Sequence, residues 1–176
     1  MKILLHICCA PCSIHPFSEL LKDKTSRITG FFYNPNIHPA EEYEKRRKAL
    51  LEYSEKNRLD AIFGKYDPET FFKEIGTRTE APERCNICWR MRLAKTAECA
   101  KNNNFDSFTT TLLVSPYQNR EEIAKIGAEC QKVFGVEFVG EDFRAGFRDA
   151  QQKAREQGIY RQKYCGCAYS QKKNEG

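Results

Sequence analysis

The 176-residue sequence predicts an α/β fold, a single domain built on a parallel sheet with helices on both faces. Three observations carry this. Short apolar runs alternate with longer segments of helical period, Pro, Asn and Gly mark the junctions between them, and no Pro/Gly/Ser-rich or low-complexity stretch supplies a linker. Right-handed crossovers between parallel strands lay helices over both faces of such a sheet, and ligands then sit beyond the carboxyl ends of the strands. Residues 1–176 are read as one domain.

Lys2 to Ile7 is an apolar run of strand length that ends in a Cys/Pro turn. Ser13, with Glu19, Leu20 and Leu21 behind it, predicts a helix entered through an N-cap. Ile28 to Tyr33 reads as a second buried strand, closed by Asn34-Pro35-Asn36 and His38-Pro39, and Ala40 to about Lys56 as a charged amphipathic helix. Leu59 to Phe63 makes a third strand. Asp67-Pro68 is a helix start with proline at the first helical position, leading into Glu69 to Ile75, and Thr77 to Arg84 is a polar connection. Leu93, Ala97 and Ala100 recur at helical spacing within Asn86 to Ala100, and Phe105 to Val114 supplies the next strand and its exit loop, ended by Ser115-Pro116-Tyr117-Gln118. From Glu121 onward Ile123, Ile126, Cys130 and Phe134 share one helical face, followed by a short strand at Val136 to Val139 and a helical C-terminal segment.

No run of about 18 apolar residues exists, and MKILLHICCAPC lacks the length and cleavage site of a secretion signal, so the expectation is a cytoplasmic protein with no membrane partner. A net charge of +5 mildly favours a polyanionic partner. The basic blocks Lys45-Arg46-Arg47-Lys48 and Lys172-Lys173 each read as solvated faces. Neither GxxxxGK[ST] nor GxGxxG occurs, which disfavours a phosphate-cradling nucleotide site.

Nine cysteines are many for such a chain, and the odd count argues against a simple disulfide framework. In a reducing compartment thiols in this number point to metal binding or redox chemistry. Seven fall into three groups: Cys8-Cys9-Ala10-Pro11-Cys12, Cys85-Asn86-Ile87-Cys88 and Cys165-Gly166-Cys167. Cys99 and Cys130 read as structural. A two-residue spacer lets both sulfurs face one centre, so Cys9/Cys12 and Cys85/Cys88 together could form a four-thiolate site, and spacing fits structural zinc as well as a cubane cluster. The three remaining thiols in the same neighbourhood suggest reactivity. A Cys-Gly-Cys disulfide would be strained and easily reduced, and the pair could equally hold a second metal. Its flanks, Tyr160 to Tyr164 and Ala168 to Ser170, carry aromatic and basic groups able to stack on a base or pair with phosphate. Asp142 follows the last strand, where it could ligate iron or donate a proton, or simply pair with Arg144. His6, His15 and His38 have no dependable metal spacing, and His6 reads as a core histidine.

The motifs HICCAPCS at 6–13, FYNPNIHPAEEYEKR at 32–46, RCNICWRMRL at 84–93, TTTLLVSPYQN at 109–119, DFR at 142–144 and YRQKYCGCAYS at 160–170 occur in order along nearly the whole chain. Together they resemble the cobalamin-independent epoxyqueuosine reductases of the QueH type. That resemblance implies a single catalytic domain of the Rossmann-like HUP class that reduces epoxyqueuosine to queuosine at the wobble position, 34, of tRNAs with GUN anticodons. It implies a [4Fe-4S] cluster on Cys8, Cys9, Cys85 and Cys88, where spacing alone would choose Cys12 over Cys8, and it implies no cobalamin. Cys165 and Cys167 then become a redox-active pair, or ligands of a second, mononuclear iron joined by Cys12 and Asp142. An electron donor of unknown identity is required. Two rivals use the same residues: a zinc-stabilised RNA-binding module without catalysis, and an ATP-dependent tRNA sulfurtransferase. RNA would stack on aromatics such as Tyr164 or Tyr169.

Overall fold

The computed structural model describes residues 1–174, with side chains described through Gln171. Five parallel strands form one sheet in the order β3-β2-β1-β4-β5: β1 (Lys2–His6), β2 (Arg27–Phe32), β3 (Asp60–Phe63), β4 (Ser107–Thr110) and β5 (Glu137–Phe138). Every residue of β4 is buried, as are Ile3, Leu4, Leu5 and His6 of β1, so the central strands carry continuous apolar or small side chains rather than an alternation.

α1 (Ala10–Leu20) and α2 (Ala40–Asn57) connect strands that step from β1 toward the β3 edge. α4 (Glu83–Asn102) and α5 (Arg120–Phe134) lead into strands that step the other way, toward β5. With right-handed crossovers the two pairs must lie on opposite faces. α1 accordingly packs against α2 and α6 (Phe147–Glu156), while α4 packs against α5 and the short α3 (Pro68–Ile75). α7 (Ala168–Asn174) closes the described chain. Among the described residues, no helix is long and apolar enough to cross a membrane.

The predicted elements are all present, with their ends adjusted. α3 is capped as expected, Asp67 accepting the Thr70 amide at 3.3 Å. α1 begins at Ala10, not at Ser13, with Cys9 as its N-cap: Pro11 fixes a helical φ in the first turn, and Ser13 lies inside the helix, donating to the Ala10 carbonyl at 2.7 Å. α4 starts at Glu83, so Cys85 and Cys88 both belong to its first turns rather than to a loop. The exit from β4 is a 3-10 turn, Thr111–Val114. His6 is the core histidine expected, its ring nitrogens 2.9 Å from Thr110 Oγ1 and 3.2 Å from the Tyr33 carbonyl.

The order of strands reverses between β1 and β4, because β1 leads to a helix on one face and β4 to a helix on the other. A crevice opens beyond the carboxyl ends at such a switch point. Cys8 follows β1 there and Thr111 follows β4.

Candidate active site

At this switch point the Cys8, Cys9 and Cys12 sulfurs lie within 4.8 Å of one another, and among the described residues they form the one group of three or more potential metal-ligating side chains. Local sequence explains the gathering. The extended backbone at Cys9 turns its thiol against Cys8, 3.8 Å away, and the helix beginning at Ala10 brings Cys12 round within one turn. Thr111 ties the loop to β4: its hydroxyl accepts the Cys8 amide at 3.1 Å and donates to the Cys8 sulfur at 3.3 Å. The Gln162 amide donates to the Cys9 sulfur at 2.8 Å, with Cys12 at 3.6 Å.

Three crowded thiols cannot share the same ionisation. Hydrogen bonds from Cys12 and Cys9 hold the Cys8 thiol well below the usual cysteine range, whereas burial pushes Cys9 up and donation to Cys8 pushes Cys12 up. Soft, closely spaced sulfurs of this kind are the donor set that iron–sulfur clusters and zinc take.

Cys85 and Cys88 stand apart from that trio. With Cys165 and Cys167 they line an adjoining cavity of about 40 Å³, to which Asn36, Arg84 and Arg92 also contribute. Burial pushes the Cys88 thiol up to about 12, and Cys167 is raised by burial as well. Cys165 is exposed, its sulfur 3.2 Å from the Ser170 hydroxyl. The seven clustered cysteines thus fall into two neighbouring sets, in cavities that share Arg92, Gln118 and Cys165 as lining. Cys130 is buried and Cys99 half-buried in the helical layer.

The main cavity, of about 850 Å³, reaches Cys8 and Cys12 and is lined by Arg46, Arg92, Arg148, Arg155, Arg161 and Lys163 with no carboxylate among its walls. Such a surface suits a polyanion. Asp142 is not part of it. Its carboxylate pairs with Arg144 at 2.6 Å and Arg120 at 3.6 Å, and those partners, Arg144 foremost, hold its pKa at about 2. At neutral pH the carboxylate is therefore ionised, held by Arg144 and Arg120.

The block Lys45-Arg46-Arg47-Lys48 does not behave as one solvated face. Arg46 is only 1% exposed, one helical turn from Glu42 on the inner side of α2, to which it donates at 2.7 Å. Its other nitrogens donate to the Tyr164 and Cys165 carbonyls at 2.9 and 3.2 Å, and its guanidinium lies over the Tyr164 ring. Tyr160 completes the network by donating to Glu42. Lys172 and Lys173 lie outside the described side chains. Of the two candidate stacking aromatics, Tyr164 is bound under Arg46 and donates to the His38 carbonyl, and Tyr169 packs between Arg84 and Phe72. Thr111, Gln162 and Arg46 occur in the recognisable motifs, but nothing in their spacing announces that they hold the thiol loops.

A parallel sheet with clustered thiols and a cationic cavity at its switch point defines a Rossmann-like metallo- or redox protein built to receive a polyanion. The epoxyqueuosine reductase QueH family model matches residues 3–173, and the chain belongs to that family. Curated relatives of the same name are 36% identical from Streptococcus pyogenes (97% of this chain, 71% of the relative) and 36% identical from Thermotoga maritima (96% and 89%). A third, from Dehalococcoides mccartyi, is 32% identical over 97% of this chain and 92% of its own length. Among solved structures, the U34-tRNA thiolase NcsA from Methanococcus maripaludis, with its [4Fe-4S] cluster, superposes with a TM-score of 0.61 at 13% identity, over 97% of this chain and 61% of that one. A predicted tRNA methyltransferase subunit from Methanocaldococcus jannaschii gives 0.55 at 11%, over 89% and 75%. These two likenesses establish the Rossmann-like fold.

Proposed function

We propose that this chain is an iron–sulfur oxidoreductase that reduces epoxyqueuosine to queuosine in tRNA, at the wobble position of GUN anticodons, in the cytoplasm. The observation that carries the reading is the opening of closely packed thiols, through Cys8 and Cys12, into a carboxylate-free cationic cavity, in a chain of the epoxyqueuosine reductase family. Nine free cysteines suit a reducing compartment.

Cys8, Cys9, Cys85 and Cys88 would hold the cluster. Cys8 and Cys9 offer adjacent sulfurs, and Cys85 and Cys88 offer two more from the first turns of α4 in the adjoining cavity. Cys12 is the rival ligand, because its sulfur already sits with Cys8 and Cys9. When bound, the cluster supplies electrons one at a time. Taking an epoxide to an alkene consumes two electrons and two protons and releases the oxygen as water. Cys165 and Cys167 balance that requirement as a dithiol: oxidation to a disulfide yields two electrons and two protons, and an external donor returns the thiols. Cys165 faces the main cavity, as the pair's substrate-side member should. A second iron on the same pair is the alternative assignment, and the iron-to-protein ratio separates the two.

The test is anaerobic purification, followed by the visible spectrum, iron and sulfide analysis, and turnover of epoxyqueuosine-containing tRNA with dithionite. Brown protein that forms queuosine is expected. Cys8→Ser, Cys85→Ser and Cys88→Ser should lose iron, Cys12→Ser should keep it, and Cys165→Ser should keep the spectrum but lose turnover. A colourless zinc protein that binds tRNA without converting it would replace this reading with the RNA-binding module, and ATP-dependent thiolation would replace it with a sulfurtransferase.

A further inference from the structure

Tyr117 is 84% exposed, the most exposed of the large hydrophobic side chains of the described chain. It lies in the loop after β4, on the same edge of the sheet as Cys8, and lines the main cavity. Its backbone is held although its ring is not. The Ser115 hydroxyl accepts the Tyr117 amide at 3.2 Å, and Gln118 next to it accepts the Trp89 indole N–H at 2.8 Å. One contact orients the ring: Phe147 meets it edge to face, with centroids 5.9 Å apart and planes at 84°. Holding a tyrosine in water on an anchored loop gains nothing for the fold, because the ring buries almost no area.

Two neighbours say what kind of molecule would cover it. Arg148 and Arg155 line the same cavity, and among the described residues neither is ion-paired to a carboxylate. An open aromatic face beside uncompensated guanidinium groups is the pairing that binds a single-stranded nucleic acid, with the ring stacking on a base and the cations following the backbone.

We infer that Tyr117 is the stacking platform for an unpaired base next to the modified nucleotide, with Phe147 setting the angle of its ring. The inference rests on the tRNA reading above and adds to it the residue that grips the anticodon loop. Tyr164 and Tyr169 are occupied by internal contacts, and Tyr117 takes the part that their sequence context suggested for them.

The test uses iron-loaded protein and a fluorescent anticodon stem-loop RNA, with affinity measured at several salt concentrations. Tyr117→Ala should weaken binding about 5- to 150-fold, the range of a lost base stack, while leaving the slope of log affinity against log salt unchanged, since no phosphate contact is removed. Tyr117→Phe and Tyr117→Trp should restore affinity. Arg155→Gln should instead lower the slope by about 0.7, the value of one single-strand phosphate contact. Unchanged affinity in Tyr117→Ala would overturn the proposal. So would loss in Tyr117→Phe equal to that in Tyr117→Ala, which would assign the effect to the hydroxyl, or reduced turnover with unchanged RNA binding, which would make this the donor's docking point. Wild-type protein that neither binds nor converts the tRNA would overturn the tRNA reading itself and this inference with it.

Discussion

Replacing Arg46 with Met should be far more damaging than its place in a basic run suggests. The side chain is 1% exposed and makes hydrogen bonds to Glu42, Tyr164 and Cys165. Methionine keeps the volume but leaves a buried carboxylate facing an uncharged thioether and orphans two carbonyls. Removing one partner of a buried ion pair costs about 3–5 kcal/mol. For a domain of this size each kcal/mol lowers the melting temperature by roughly 2–4 °C, so a fall of about 6–20 °C is expected. Tyr160 still donates to Glu42 in the variant, which places the expectation in the lower half of that range. Urea and thermal unfolding of Arg46→Met, Glu42→Leu and the double variant would measure it. The double variant should recover part of the loss, because no uncompensated charge is left buried. A fall under about 3 °C in Arg46→Met, or a double variant less stable than the sum of the singles, would refute the argument.

Three further outcomes follow from the same geometry. Gly166 adopts φ +107°, and a Cβ there would stand 2.8 Å from Ile37 Cγ1, so Gly166→Ala should displace the Cys165/Cys167 loop and slow turnover at least tenfold with little change in iron content; normal turnover would count against a fixed loop. Burial alone lowers the His38 pKa from 6.5 to about 4, so the native state stays neutral while the unfolded chain takes up a proton as pH falls. Stability should therefore drop between pH 6.5 and 4 by up to about 3 kcal/mol from this group, at about 1.4 kcal/mol per pKa unit, and His38→Phe should flatten that slope in urea titrations at successive pH values. Thr111→Val leaves the Cys8 amide without its acceptor and should cost about 1–3 kcal/mol, with Thr111→Ser restoring most of it; equal stability of the Val variant and the wild type would exclude the hydroxyl as the tie between β1 and β4.

The sheet was legible because buried parallel strands leave a local signal. Lys2 to Ile7 and Ile28 to Tyr33 are short apolar runs closed by turn residues, and the segment from Ala40 to Lys56 between the second and third strands has helical period. Asp67-Pro68 announced α3 through chemistry confined to four residues. Ser13 is a good cap in isolation and draws the expected start of α1 too late, because Pro11 two residues earlier already sets the helix. The thiol site was legible only in part. CxxC spacing pairs Cys9 with Cys12, but that Cys8 joins them depends on the backbone turn at Cys9, and that Cys85 and Cys88 share a cavity with Cys165 and Cys167 depends on where α4 and the C-terminal loop meet. Arg46 was hidden for a simpler reason. A charge run does not reveal which of its members faces inward, and the Glu42 partner one turn earlier carries the same ambiguity.

The thiols also emerge in a fixed order during synthesis. Cys8, Cys9 and Cys12 leave the ribosome early, while Cys165, Cys167 and the Gln162 amide that covers Cys9 belong to the last stretch of the described chain. At about 5–20 residues per second the early trio waits roughly 8–30 s for those partners. Until then Cys9 lacks the Gln162 hydrogen bond that covers it in the folded chain. The trio is therefore fully enclosed only once the Gln162 segment has been made.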